Sequence, residues 1–189
     1  MTALFKNYVY SDGLISNRIR TQFLSEEDII PWAPFFENSE AIRFLGISAL
    51  NLSSKEEISA HMIGKQLDRY ASKRFGLQKL LLKDTNTFIG LCGLLLQELD
   101  GEHVIEIGYH LFPAHWGKGY ATEAAALFEV YAFDQLNCPF VVSVIDKENY
   151  RSQSVALRNG FEIEKETTWM EGEQVYIYKK QNTHSSSEM

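Results

Sequence analysis

Cysteine is scarce: Cys92 and Cys138 are the only two in 189 residues. One lies inside an apolar run and the other just before one, which excludes a disulfide framework and marks both as buried, reduced thiols. No run of about 18 uninterrupted apolar residues is present, so no segment reads as a membrane-spanning helix. The opening Met1-Thr2-Ala3-Leu4-Phe5-Lys6 lacks the charged-then-apolar order of a secretory signal, and the chain is expected to be soluble and cytoplasmic. Lys and Arg are not clustered and the net charge is −7, which argues against a nucleic-acid partner and suits a cationic substrate. His61, His103, His110, His115 and His184 fall in no metal-ligand spacing with a cysteine or carboxylate. Neither a metal site nor a Cys–His nucleophile is expected.

What is present is the composition of one ordinary globular core, 45% hydrophobic and 23% charged, without a linker or internal repeat. Arg18 to Phe23 reads as a strand, followed at Ser25-Glu26-Glu27-Asp28 by a capped helix start that Pro31 and Pro34 keep short or irregular. Ser53-Ser54 ahead of Glu56-Glu57 is a capping-box opening for a second helix, with Ile58, Met62 and Tyr70 on its apolar face. Short apolar runs at Leu77 to Leu82, Thr87 to Leu96 and Val104 to Leu111, broken at Lys83-Asp84-Thr85-Asn86 and Asp100-Gly101, predict three adjacent antiparallel strands. Helical period returns from Ala121 to Ala132 and stops at Asn137-Cys138-Pro139. Phe140 to Ile145 is a nearly continuous apolar strand, as where both sheet faces are covered. A helix from Tyr150 to Arg158 closed by Asn159-Gly160 and a terminal hairpin around Glu171-Gly172 complete the chain. The order implies a mixed, mostly antiparallel sheet with helices packed on it. One domain over residues 1–180 is expected, with a polar, frayed tail over 181–189.

The most informative stretch is Trp116-Gly117-Lys118-Gly119-Tyr120-Ala121-Thr122-Glu123-Ala124, where a strand ends, a glycine turn follows and a helix begins at once. Glycines let successive N–H groups converge, and the first helical turn adds unpaired amides and the positive end of the dipole, so the junction suits an anion. It is neither Gly-x-x-x-x-Gly-Lys-Ser/Thr nor a dinucleotide fingerprint, whose third glycine is replaced by Thr122.

This loop resembles the coenzyme A pyrophosphate loop of the GNAT (GCN5-related) N-acetyltransferases, in particular the branch of the ribosomal-protein alanine acetyltransferases, with Trp116, Gly119 and Ala121 on its Gln/Arg-x-x-Gly-x-Gly/Ala pattern. Trp116 departs from the usual polar first residue. Asn149 to Phe161 resembles the family's Asn-x-x-Ser-x-x-Val-x-x-x-x-Gly-Phe segment. Asn17-Arg18-Ile19 with Glu27-Asp28 resembles the branch's opening, and Glu106 to Pro113 its fourth strand. The resemblance implies a GNAT fold of six or seven strands with helices on both faces, splayed between the fourth and fifth strands, with Gly108 in the place of a bulge or of a plain strand glycine. It further implies acetyl-coenzyme A held by main-chain amides of Gly117, Lys118, Gly119, Tyr120, Ala121 and Thr122, by the main chain of Leu111 and by Asn149, which also fits an ordinary N-cap. Glu106 would be a water-linked base and Ser152 the donor to the leaving thiolate, because the tyrosine that other branches use is replaced here by Ala156. Ser152 also fits a cap, and Glu106 a solvated strand residue.

The implied reaction is acetyl transfer to a primary amine in a ternary complex, with a protein or peptide N-terminus as acceptor. A small amine (polyamine, amino acid or aminoglycoside) and a non-catalytic acetyl-coenzyme A-binding module are the alternatives. A monomer or homodimer is expected. Phe35, Phe36 and Phe44 are candidates for the wall of the acceptor pocket.

Overall fold

The fold was obtained as a computed structural model that describes residues 10–169 and 172–183. Residues 1–9, Met170, Glu171 and 184–189 lie outside the described residues. The strands are β1 (Ile19–Gln22), β2 (Leu77–Leu82), β3 (Phe88–Leu99), β4 (Glu102–Leu111), β5 (Phe140–Asp146), β6 (Glu162–Thr168) and β7 (Gln174–Gln181). They form one seven-stranded sheet in the order β1-β2-β3-β4-β5-β7-β6, antiparallel except between β4 and β5.

The helices are α1 (Ile29–Trp32), α2 (Ser39–Ile42), α3 (Lys55–Ala71), α4 (Tyr120–Asp134) and α5 (Tyr150–Arg158). Pro31 and Pro34 do break the first helical region into short α and 3-10 turns. At α3 the expected capping box forms: the Ser54 hydroxyl accepts from the Glu57 N–H at 3.1 Å, and the Glu57 carboxylate accepts from the Ser54 N–H. At the end of α5, Gly160 sits at φ 75° and donates to Leu157 while Phe161 donates to Ala156, the paired bonds of a glycine C-cap.

Two apolar layers sandwich the sheet. On one face α4 and α5 bury Phe128, Ala132 and Val155 against Ile105, Ile107 and Leu111. On the other, Trp32, Phe35 and Ile63 from the α1–α3 side pack on Leu77 and Leu91. Trp32 stacks on Phe35 with centroids 4.2 Å apart and meets Phe112 edge-on at 4.7 Å. Full burial of side chains this size contributes about 1.5–3 kcal/mol each, which makes this cluster the anchor of the irregular α1–α2 region. Cys92 and Cys138 are both free and buried, as their apolar surroundings predicted.

One open alternative is decided and two expectations need correction. The register of β3 with β4 runs unbroken from Gly90–Leu111 to Leu99–Glu102, so Gly108 is a plain strand glycine and the sheet opens without a bulge there. That hairpin is longer than its apolar runs, because its exposed end is built from the polar residues Glu102 and His103. Fraying does not begin after Lys180: Gln181 completes β7, and Asn182 is buried, donating from its side chain to the Cys138 carbonyl at 3.0 Å.

Candidate active site

The strands β4 and β5 share a single register pair, Glu106 with Val142. One residue further on, the Ser143 hydroxyl donates to the Ile107 carbonyl at 3.0 Å. Main-chain groups alternate sides along a strand, so Ile107, Tyr109 and Leu111 turn their N–H and C=O groups toward the gap. The Leu111 carbonyl is held by the indole N–H of Trp116 at 2.8 Å, while the next residue, Phe112, donates the other way, to Ile89. What opens between the strands is a cleft of about 610 Å³ whose β4 wall is not laddered to β5 beyond Glu106, a place for an extended ligand to add as a strand.

The glycine loop closes one end of this cleft. Gly117 (φ 72°) and Gly119 (φ 79°) both adopt the left-handed conformation, and Gly119 caps α4. Their turns leave Gly117, Gly119, Tyr120, Ala121 and Thr122 lining the cleft. The Thr122 hydroxyl oxygen and His115 Nδ1 are buried without a hydrogen-bond partner. Polar atoms left without a partner beside a helix N-terminus fit a site shaped in advance for an anionic ligand. Lys118 is different: its ammonium bends back to the Ala114 carbonyl at 2.9 Å on the exposed side, so only its main chain belongs to the loop.

Glu106 lies at the apex where the strands part. Its carboxylate accepts from the Gln97 side chain at 2.6 Å, and burial pushes its pKa up, opposed by that bond, by the Val144 N–H and by Arg69. Gly108, two residues on and on the same strand face, adds no side chain, so the cleft stays open beside the carboxylate. His110 follows on that face with its ring 6.4 Å from Phe35, and burial lowers its pKa to about 4, which keeps it neutral. Phe35 and Phe44 line the cleft as expected, whereas Phe36 is buried beside Trp32.

Across the gap, the Asn149 side chain accepts from the Ser152 N–H at 3.1 Å and is the N-cap of α5. The Ser152 hydroxyl therefore does not cap the helix, and it lines the cleft. The Tyr109 phenol donates to the Ser152 carbonyl at 3.1 Å, tying β4 to α5, and burial raises its pKa against the hydrogen bonding with Ser152. Arg151 lies 4.4 Å over the Trp116 ring and pairs with Glu40 at 2.7 Å, while Arg43 of the α2 side pairs with Glu148. Tyr109, His110 and Arg151 lie inside the two segments that resemble the family, but the resemblance assigns no role to their side chains.

An acetyltransferase (GNAT) domain family matches residues 18–162. The chain belongs to the GNAT acetyltransferases. It is 27% identical over 155 residues to the uncharacterized N-acetyltransferase p20 of Bacillus licheniformis, covering 82% of this chain and 84% of that one. Its fold is similar to an acetyltransferase from Agrobacterium tumefaciens (TM-score 0.73, 24% identity, 93% of this chain and 98% of the other). It is similar also to RimL, a ribosomal-protein alpha-N-acetyltransferase solved in complex with coenzyme A (TM-score 0.72, 16% identity, 90% and 98%).

As a GNAT enzyme the chain is an acetyl-CoA-dependent acyltransferase, and its residues fit that donor. The loop amides and the orphaned Thr122 hydroxyl suit a pyrophosphate, and the unpaired edge of β4 suits the amide-bearing arm. The thioester supplies the activated acetyl group. Among the described residues no helix is long and apolar enough to cross a membrane.

Proposed function

We propose that this GNAT enzyme is a cytoplasmic, single-domain RimL-like N-acetyltransferase that acetylates a protein or peptide N-terminal amine in a ternary complex. The observation that carries the reading is the place of Glu106: a carboxylate with a raised pKa at the apex of a cleft whose other end is the glycine loop. Glu106 accepts the proton of the incoming ammonium, through a water. The main-chain amides of Tyr109 and Leu111 face the gap, where they can polarise the carbonyl under attack. Asn149 keeps its side-chain N–H₂ for an amide of the donor arm while its oxygen caps α5.

The N-terminal acceptor follows from proton affinity. An α-ammonium has a pKa of about 7.7–8.0 and a lysine or polyamine ammonium about 10.4, and a carboxylate, even one raised by burial, closes only the smaller gap well. Rates of thiol release with acetyl-CoA, measured against pH on peptides with free N-termini and on polyamines, test this. Higher kcat/KM for the peptides is expected, and a polyamine preference would overturn it.

Ser152 donates a hydrogen bond to the thiolate as it leaves, or passes on its hydroxyl proton and takes one back from water. The structure makes this role separable from folding, because the helix cap, the Ser152 N–H and the carbonyl that receives Tyr109 all survive in Ser152→Ala. That variant is expected to lose about 10²-fold in kcat with nearly unchanged melting temperature and coenzyme affinity. A wild-type single-turnover rate would leave the thiolate to another donor.

A further inference from the structure

The opening segment Asn17-Arg18-Ile19 lies far from Glu106 in sequence and has no part in the chemistry above, yet it meets the glycine loop. Glu123, in the first turn of α4, would place a carboxylate beside the amides that must receive a pyrophosphate. Instead it is saturated from the turn that leads into β1. Its Oε1 accepts from the Ser16 hydroxyl and from the Arg18 N–H, each at 2.7 Å, and its Oε2 accepts from Arg18 Nε at 2.6 Å. These bonds hold its pKa below the usual carboxylate range although burial opposes them.

The same guanidinium reaches on. Arg18 Nη1 donates to the Lys118 carbonyl at 2.9 Å, and the group lies 4.5 Å from the centre of the Tyr120 ring. A trans peptide is planar, with its C=O and N–H pointing opposite ways. Fixing the Lys118 carbonyl toward Arg18 therefore directs the Gly119 N–H away from Arg18, on the side where Gly119 lines the cleft.

We infer that Arg18 and Glu123 form a positioning pair that sets the Lys118–Gly119 peptide for pyrophosphate binding, without either residue touching the ligand. The guanidinium reaches Glu123 through Nε and the Lys118 carbonyl through Nη1, two donors set apart in one rigid plane, a spacing that the single nitrogen of a lysine does not reproduce. The inference rests on the coenzyme reading of the loop, and the test separates the two.

Calorimetric titration of the wild type, Arg18→Ala, Arg18→Lys and Glu123→Gln with coenzyme A is paired with kcat/KM for acetyl-CoA and for S-acetylpantetheine, which lacks the pyrophosphate. Both Arg18 variants are expected to bind coenzyme A about 10-fold or more weaker, with kcat/KM for acetyl-CoA reduced to match. Their kcat/KM for S-acetylpantetheine should stay at the wild-type value, a result that general loosening of the fold would not give. Glu123→Gln keeps acceptors for Arg18 and should lose less. Arg18 is surface-accessible, with 43% of its side chain exposed, and Arg18→Lys guards against a folding defect in Arg18→Ala. Wild-type coenzyme affinity in a folded Arg18 variant, or equal losses on both donors, overturns the inference while leaving the loop assignment intact. Failure of the wild type itself to bind coenzyme A overturns the loop assignment instead.

Discussion

Glu106→Gln is expected to lower kcat/KM by about 10²- to 10⁴-fold on an amine acceptor at neutral pH, the range typical of losing a general base. The substitution keeps the side-chain shape, and its amide oxygen can still accept from Gln97, which now bonds the carboxylate at 2.6 Å. Coenzyme affinity should therefore hold, since the loop is at the other end of the cleft. The deficit should shrink toward high pH, where the acceptor amine has lost its proton without help. In the wild type the acidic limb of the pH–rate profile should titrate above the ordinary carboxylate range, because burial raises the Glu106 pKa.

The same shift has a consequence for stability. A carboxyl whose folded pKa is raised binds its proton more tightly in the native state, so its contribution is fully present below the unfolded pKa and is lost as pH rises through the folded value. Glu106→Gln removes that pH dependence and should leave the protein at least as stable as the wild type at neutral pH. Activity lost without stability lost is the signature of a catalytic carboxylate. A variant with wild-type rates across the pH range would reduce Glu106 to a strand residue bonded to Gln97.

Gly119→Val is expected to weaken coenzyme A binding by about 10²-fold or more in a protein that still folds. Gly119 holds φ 79°, where a β-branched residue is strained, and a Cβ there would stand 3.4 Å from Arg18 Nη2. The nearest atom is the end of a flexible side chain and the turn is exposed, so the core is untouched. Relief of the strain turns the Lys118–Gly119 peptide and withdraws main-chain donors from the pyrophosphate. Hydrogen bonds to charged groups are worth about 1.5–3 kcal/mol each, so losing two accounts for the loss. Unchanged affinity by calorimetry would remove this loop from the coenzyme site.

Local chemistry was the legible part of this fold. The capping box at Ser54, the glycine closing α5 and the turn at Asp100-Gly101 are each written in neighbouring residues, and the structure places all three as read. The glycine loop was legible for the same reason: its function resides in backbone that glycine alone permits. Pairings between distant residues were not. Nothing near Asn182 announces that Cys138 and Pro139 will bury it. The Tyr109 contact with Ser152 and the Arg18 contact with Glu123 span 43 and 105 residues. The absence of a bulge at Gly108 could not be read either, since a strand glycine has the same letter whether the ladder is broken or continuous.

The single register pair between β4 and β5 makes the sheet mechanically two plates. One is β1 to β4, clamped between α3 and α4; the other is β5 to β7, joined to it below Glu106 by an apolar patch of Val104, Val142, Val175 and Ile177. Beyond Glu106 the described residues stitch the plates through side chains, such as Ser143 to the Ile107 carbonyl and Tyr109 to Ser152. A ligand that lies in the gap as an extra strand restores the missing ladder and welds the plates into one cooperative unit. On the proposed reading the enzyme is most compliant at the seam assigned to its chemistry, and the donor substrate is also the piece that stiffens it.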